Sequence, residues 1–183
     1  MTQYFIVKMW DLEGGIDLEV SLPLKDLDEY FVTVNTYKGF LANQIVIIDI
    51  QPLSPSAVLP FSDPDYDTVD VKELNKALLS FNELSDSEQE RIYAITESLG
   101  GSFDSFRYAL RNMDHYDFFP LSTVADMENL GRAIFARYIN QGFATIYEDA
   151  IDFTEFAALL TYRCVLFFCK KTNGYLLKVS EML

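Results

Sequence analysis

The sequence predicts an α+β fold made of three consecutive regions. Three observations support this: residues 16–22 alternate between apolar and polar, residues 69–112 show helical periodicity with capping signals, and an Asn-Gly turn separates two apolar runs near the C-terminus. These patterns are typical of a hairpin, a helical segment and a second hairpin. We therefore divide the chain into an N-terminal α+β domain (1–60), an acidic helical middle domain (61–118) and a C-terminal domain of helix plus hairpin (119–183).

The first region contains the clearest strand pattern. Residues 3–10 are apolar and rich in strand-forming types, and after a turn at 11–15 the alternation of residues 16–22 predicts a hairpin with one solvated face. A short helix is predicted around residues 25–31. The β-branched run at 44–50 predicts a central strand, and the proline-containing segment 53–67 predicts a connector.

The middle region predicts three helices. Their ranges are 69–81, 85–99 and 102–112, and the last two are separated by Gly100-Gly101. Ser85 and Glu88 have the capping-box spacing, in which side chain and backbone satisfy each other's free amides. On the second helix, at 100° per residue, the acidic residues Asp86, Glu90 and Glu97 share one face and the apolar residues Ile92, Ile95 and Leu99 share the opposite one.

The last region predicts helices before a terminal hairpin. A helical pattern runs over 123–140 and stops at Gly142. Asp152 with Glu155 is a second cap signature, which predicts a helix to about residue 161. Strands are predicted at 163–168 and 175–179, joined through an Asn-Gly turn.

Composition indicates a folded, strongly acidic protein. The chain has 183 residues, of which 28 are Asp or Glu and 14 are Lys or Arg, and its net charge is −14. Since 50% of the residues are hydrophobic and 15 are Phe, the chain can form a core, unlike a disordered acidic tail. Affinity for DNA comes mainly from cationic side chains, so we expect no direct binding to nucleic acid. Acidity serving solubility alone remains the simplest alternative.

The N-terminus and the apolar segments indicate a cytoplasmic protein. No signal peptide pattern begins the chain, and no apolar run approaches the length needed to cross a bilayer. We therefore expect no membrane contact. Cys164 and Cys169 fit neither a redox motif nor a zinc site, so we expect reduced, packed thiols.

Residues suited to catalysis are sparse. The one histidine, His115, lies between carboxylates, but no nucleophile motif accompanies it. Asp63, Asp65 and Asp67 resemble the start of a calcium loop, yet Thr68 stands where that loop needs glycine. No glycine-rich phosphate-binding motif occurs. We therefore expect no enzyme activity, cofactor or metal, with a carboxylate- or His115-based hydrolase as the enzymatic alternative.

The charge is unevenly distributed along the chain. Residues 1–60 carry −5, residues 61–118 carry −8, residues 119–158 carry −4 and residues 159–183 carry +3. Duplex DNA carries one charge per about 1.7 Å of its axis, so 28 carboxylates correspond to roughly 48 Å of duplex and the net charge to roughly 24 Å. The apolar, basic C-terminal hairpin is better suited to assembly.

The order of short motifs resembles the ArdA-type antirestriction family. The segments that carry the resemblance are Lys72-Glu73-Leu74-Asn75-Lys76, Asn82-Glu83-Leu84, Ile134-Phe135-Ala136-Arg137-Tyr138 and Ala150-Ile151-Asp152-Phe153-Thr154-Glu155-Phe156. They match the family's E-L-N, ARYY-type and YIDY-type elements, and a terminal hairpin follows in both. The chain departs from the family at Ala157-Ala158-Leu159, where the family continues Gly-Arg-acid. Arg137 and Tyr138 are candidates for interface, core or functional roles.

The resemblance implies an elongated, curved, non-enzymatic protein of three small domains that dimerises through its C-terminal part. Such a dimer imitates bent B-form DNA and occupies the DNA-binding cleft of type I restriction-modification enzymes. The carboxylates expected to bind the partner are Glu73, Asp86, Glu90, Glu97, Asp104, Asp126, Glu128, Asp152 and Glu155. The residues expected at the dimer interface are Val165, Phe167, Tyr175 and Leu177. The alternative is an acidic inhibitor or adaptor of another nucleic-acid enzyme, such as a CRISPR effector, without strict mimicry.

Overall fold

The computed structural model describes residues 2–39, 44–62, 66–139 and 150–182. Within these ranges it is an α+β protein with six α-helices and two three-stranded antiparallel sheets, which confirms the predicted fold class. No helix in these ranges is both long enough and apolar enough to cross a bilayer.

The N-terminal sheet consists of β1 (Phe5–Asp11), β2 (Ile16–Leu22) and β3 (Ile45–Pro52) in the order β2-β1-β3. The hairpin of β1 and β2 is confirmed. The prediction of a central strand at 44–50 is wrong, because β3 lies at the edge and the apolar β1 is central.

Helix α1 (Leu27–Lys38) is longer than the predicted segment 25–31. It begins at the Asp26 cap, whose side chain accepts from the Glu29 amide, and ends at Gly39, which has a positive φ of 70°. The second half of the helix buries only Val34, so its sequence lacks the apolar periodicity that would have extended the prediction.

The three predicted middle helices are confirmed as α2 (Val71–Asn82), α3 (Asp86–Ser98) and α4 (Phe103–Asn112). The capping box at the start of α3 is present in both directions: the Ser85 side chain accepts from the Glu88 amide, and the Glu88 carboxylate accepts from the Ser85 amide at 2.8 Å. These contacts lower the pKa of the Glu88 carboxyl. Local sequence thus sets where α3 begins.

The second sheet consists of β4 (Tyr116–Pro120), β5 (Leu166–Cys169) and β6 (Gly174–Lys178) in the order β4-β6-β5. The predicted hairpin corresponds to β5 and β6. Strand β4 was not predicted, and it pairs with β6, so the predicted boundary between 118 and 119 falls inside a strand. Helices α5 (Met127–Tyr138) and α6 (Phe153–Tyr162) complete this region.

Two hydrophobic clusters organise the described residues. The first joins the N-terminal sheet, helices α2 to α4 and one face of the second sheet, and the second packs α5 and α6 on that sheet's other face. Two amide side chains, Asn75 and Asn82, also bind the N-terminal region: the Leu24 amide donates to Asn75 Oδ1 at 2.7 Å and the Gln3 amide to Asn82 Oδ1 at 2.9 Å. Residues on the two sides of the predicted boundary at 60 therefore share one core.

Candidate partner-binding surface

Most of the predicted partner-binding carboxylates lie at helix N-termini. Asp126 and Asp152 are N-caps, and their side chains accept from the amides three residues on. Five others lie in the first turns of helices α2 to α6: Glu73, Asp86, Asp104, Glu128 and Glu155. Negative charge is stabilising there because the helix dipole and the unpaired amides are positive. Helix stability thus accounts for the positions of seven of the nine carboxylates.

Eight of the nine carboxylates are exposed, and the exception is Glu97. Glu97 accepts from the Lys170 amide at 2.9 Å and from the Lys171 amide at 3.1 and 3.2 Å, so it fixes the tip of the β5–β6 hairpin. Glu97 is thus less available than the other eight, because its carboxylate already accepts from backbone amides of its own chain, and its part in partner binding stays a prediction.

Three of the exposed carboxylates form ion pairs with arginines of the same chain. Arg107 Nη1 lies 2.7 Å from Glu73 Oε2 and 3.5 Å from Asp104 Oδ1, which brings the N-termini of α2 and α4 together. Arg132 donates to Glu128 at 2.8 Å. Each pair contributes little to stability at such exposed positions. The two arginines nevertheless offset part of the negative charge of these three carboxylates.

Glu90 and Glu155 are the clearest exposed charges of the predicted set. Both side chains are exposed, and neither forms an ion pair within the part of the chain that the structure describes. Glu155 lies at the start of α6, whereas Glu90 lies in the second turn of α3. Among the nine predicted carboxylates, Glu90 is therefore the one that neither lies at a helix N-terminus nor forms a hydrogen bond or ion pair through its side chain within the described residues.

A buried carboxylate that the sequence did not reveal connects β4 to two helices. Asp117 is 3% exposed; its Oδ2 accepts from the Tyr138 hydroxyl at 2.8 Å and lies 2.7 Å from Arg137 Nη1. Its Oδ1 lies 3.7 Å from Arg91 Nη2 on α3. Burial and the Asp117 charge raise the pKa of Tyr138 to about 12. Arg137 and Tyr138, whose roles were open, thus hold α5 on the second sheet.

Two of the predicted dimer-interface residues are unavailable to a second copy. Val165 and Leu177 are 6% and 0% exposed and belong to the chain's own second cluster. Phe167 packs against the first cluster and Tyr175 against the second, and both are only partly buried. The prediction is wrong for Val165 and Leu177, because the alternating pattern of a strand does not show which face a helix will cover.

Other candidate chemical groups are dispersed. His115 is exposed beyond the end of α4, and no group of three metal-ligating side chains occurs among the described residues. Asp63 and Asp65 of the calcium-like segment lie outside the described residues. Cys164 is exposed and Cys169 is buried, where desolvation raises the pKa of its thiol to about 12. The expectation of packed thiols is confirmed for Cys169 and wrong for Cys164.

No protein-family model matches this chain, and a search of curated proteins gave no match. The resemblance to the ArdA-type family therefore depends on the short motifs of α2, α5 and the start of α6.

Proposed function

We propose that this protein is an ArdA-type antirestriction protein. As a dimer it imitates bent B-form DNA, occupies the DNA-binding cleft of a type I restriction-modification enzyme in the cytoplasm and inhibits it without catalysing a reaction. The observation that carries the proposal is that every helix from α2 to α6 presents exposed carboxylates at its N-terminus in a chain of net charge −14. A cleft that binds phosphates attracts such a surface.

The proposal also includes the elongated three-domain form that the resemblance implies. Because the N-terminal sheet and helices α2 to α4 share one hydrophobic cluster, these two regions would act as one unit within that form. The second sheet would connect this unit to α5 and α6.

The dimer surface in this proposal lies at the outer edge of β5 and on the adjoining helix. In the described part of the chain, β5 pairs with β6 on one side only. Phe168 on β5 is 48% exposed, and Tyr162 at the end of α6 is 87% exposed. An unpaired strand edge with apolar neighbours favours pairing with another chain.

Sedimentation velocity at micromolar concentration tests the dimer. The pair Phe168→Ser and Tyr162→Ser should shift the protein to monomer, because it removes exposed apolar area at the proposed interface. The matched pair Val32→Ser and Tyr37→Ser removes exposed apolar side chains from α1 and should leave the dimer intact. A monomeric parent protein would contradict this part of the proposal.

Competition with duplex DNA tests the mimicry. A labelled duplex bound to a type I restriction-modification enzyme should be displaced by the protein. Direct binding of the protein to the enzyme, measured without duplex, should weaken steeply between low and physiological salt because the contact is electrostatic. Simultaneous binding of duplex and protein to the enzyme would refute mimicry and favour an adaptor.

Two pairs of substitutions with equal net charge separate specific placement from bulk charge. Glu90→Gln with Glu155→Gln should weaken competition by about threefold to thirtyfold, since each exposed ion pair contributes up to about 1 kcal/mol. Glu13→Gln with Asp17→Asn alters two exposed carboxylates of the β1–β2 hairpin, away from the helix N-termini that make up the proposed surface, and should have a much smaller effect. Equal loss in both pairs would show that only total charge matters.

A further inference from the structure

A cavity of about 340 Å³ lies beside α3. Four parts of the chain form it: the connector residues 58–62, one face of α3, Gly101 and the hairpin tip at 171–172. Glu90, Tyr93 and Glu97 are spaced by three and four residues, so they project from one face of the helix into its lining.

Hydrogen bonds fix the walls of this cavity. The Tyr93 hydroxyl donates to the Val58 carbonyl at 2.6 Å, and the Ser62 amide donates to the Gly101 carbonyl at 2.7 Å, which anchors the connector at both ends. On the other side, Glu97 holds the hairpin tip through two backbone amides. A ligand would therefore meet a formed site, and little ordering would be needed for binding.

The lining combines apolar surface with negative charge. The connector contributes Leu59, Pro60 and Phe61, and α3 contributes the ring of Tyr93 between two carboxylates. Among the residues that line the cavity, Lys171 carries the only positive charge, so the lining has an excess of one negative charge. The Glu90 carboxylate is exposed at this cavity and has no ion pair within the described residues.

We propose that this cavity binds an arginine side chain of a protein partner. An arginine has an apolar stem that suits the connector wall, and its planar guanidinium stacks on aromatic rings and pairs with carboxylates through two parallel hydrogen bonds. Lysine, a strongly hydrated point charge, uses the aromatic wall less well. The inference deepens the proposed function, on which it rests for the identity of the partner: a basic protein cleft supplies such side chains.

Titration with N-acetyl-arginine-methylamide, followed by NMR of the backbone amides, tests the cavity directly. We expect saturable shifts at Gly101 and at the amides around Tyr93, with a dissociation constant on the order of millimolar for a single side chain. The citrulline analogue has the same shape without the charge and should produce no saturable shift. Equal binding of the two probes would overturn the proposal.

Two conservative variants localise the binding. Glu90→Gln should weaken the affinity for the arginine probe by about threefold to tenfold, because a hydrogen bond to a charged group at a partly exposed site is lost. Glu83→Gln removes an exposed carboxylate at the end of α2 and should leave binding unchanged. Both positions are exposed, so thermal melting should be the same for both proteins. An unchanged affinity in Glu90→Gln would overturn the assignment.

The probe titration and the competition with DNA fail independently. If the arginine probe does not bind but the protein still displaces duplex from the type I enzyme, the cavity assignment is wrong and the proposed function stands. If the probe binds as expected but duplex is not displaced, the cavity is an arginine site of a protein with another partner.

Discussion

Replacing Asp117 by asparagine should destabilise the protein by about 2–4 kcal/mol. Removing one partner from a fully buried charge pair costs about 3–5 kcal/mol, because the other charge stays buried without compensation. Here the cost is lower, since the Arg137 side chain is 58% exposed and can turn toward water. Arg91 is less free: its side chain is 25% exposed, and its Nε is buried without a hydrogen-bond partner among the described residues.

Urea denaturation of the Asp117→Asn protein measures this cost. The urea concentration at the midpoint of unfolding should fall. The slope of the unfolding free energy against urea concentration should not change, because the surface that is exposed on unfolding stays the same. Tyr138→Phe removes the hydroxyl that donates to Asp117 and should cost about 1–2 kcal/mol. The double variant should cost less than the sum of the two by about 1 kcal/mol, since both changes remove the same contact.

Asp114→Asn is the matched control, because Asp114 is exposed and lies three residues before Asp117. It should change stability by less than about 0.5 kcal/mol. If Asp117→Asn were no more harmful than this control, or if the double variant were strictly additive, the proposed coupling of β4 with α5 through this carboxylate would be refuted.

Three further outcomes are expected. Gly131→Ala should cost more than about 3 kcal/mol in urea denaturation or prevent folding, because a Cβ atom at Gly131 would lie 2.1 Å from the Phe153 carbonyl oxygen. A thiol reagent at pH 8 should label exposed Cys164 and spare Cys169 in the folded protein, since burial raises the pKa of Cys169 to about 12; mass spectrometry after digestion identifies the site. Ser85→Ala should cost about 0.5–2 kcal/mol through loss of the α3 cap, measured by urea denaturation.

Each of these outcomes has its own control. Ala136→Gly on the exposed side of α5 should cost only about 1 kcal/mol, through helix propensity; equal costs at 131 and 136 would exclude a steric cause. Denaturation in urea should make both cysteines reactive, and rapid labelling of both in the folded state would contradict the burial argument. Ser80→Ala, at an exposed position inside α2, should be neutral or slightly stabilising, whereas a cost like that of Ser85→Ala would show that capping is not responsible.

The cap of α3 also predicts a pH dependence. The folded pKa of Glu88 is lowered by its contacts with Ser85, so the unfolded chain binds the proton more readily than the folded one. The stability from this group is present above the unfolded pKa and is lost as pH falls through the folded pKa. In urea denaturation series from pH 7 to pH 3, the free energy of unfolding should therefore fall less in Ser85→Ala than in the parent protein. An equal fall in both proteins would contradict the stabilisation of the Glu88 carboxylate by Ser85.

Local signals explain which elements could be predicted from the sequence. Helices α2 to α4 begin at residues whose own side chains cap them, so the start of each helix is encoded within a few positions. The β1–β2 hairpin is likewise encoded by alternation and a turn. The second half of α1 buries one residue, and β4 is five residues long beside a short 3₁₀ turn, so neither has a periodic pattern long enough to detect.

Contacts between distant residues explain what could not be predicted. Asp117 is buried because Arg137 and Tyr138, some 20 positions later, lie against it. Glu97 shares a helical face with Asp86 and Glu90. Unlike theirs, its side chain is partly buried, because the tip of the β5–β6 hairpin packs against it and donates backbone hydrogen bonds to it. Periodicity gives the direction in which a side chain projects from its own helix, whereas what it meets there depends on the packing of the whole chain.

The placement of the carboxylates separates two reasons for acidity that the composition could not separate. A carboxylate at a helix start lies against the positive end of the helix dipole, which stabilises the helix and also reduces the field that a distant partner experiences. Neutralising Asp126 or Asp152 therefore alters folding as well as the proposed binding, and a loss of the proposed inhibition after such a change would have two causes. Glu90 lies beyond the first turn and faces a cavity with apolar walls. Its charge contributes little to helix formation, so a substitution at Glu90 is the one among the nine that reports on partner binding alone.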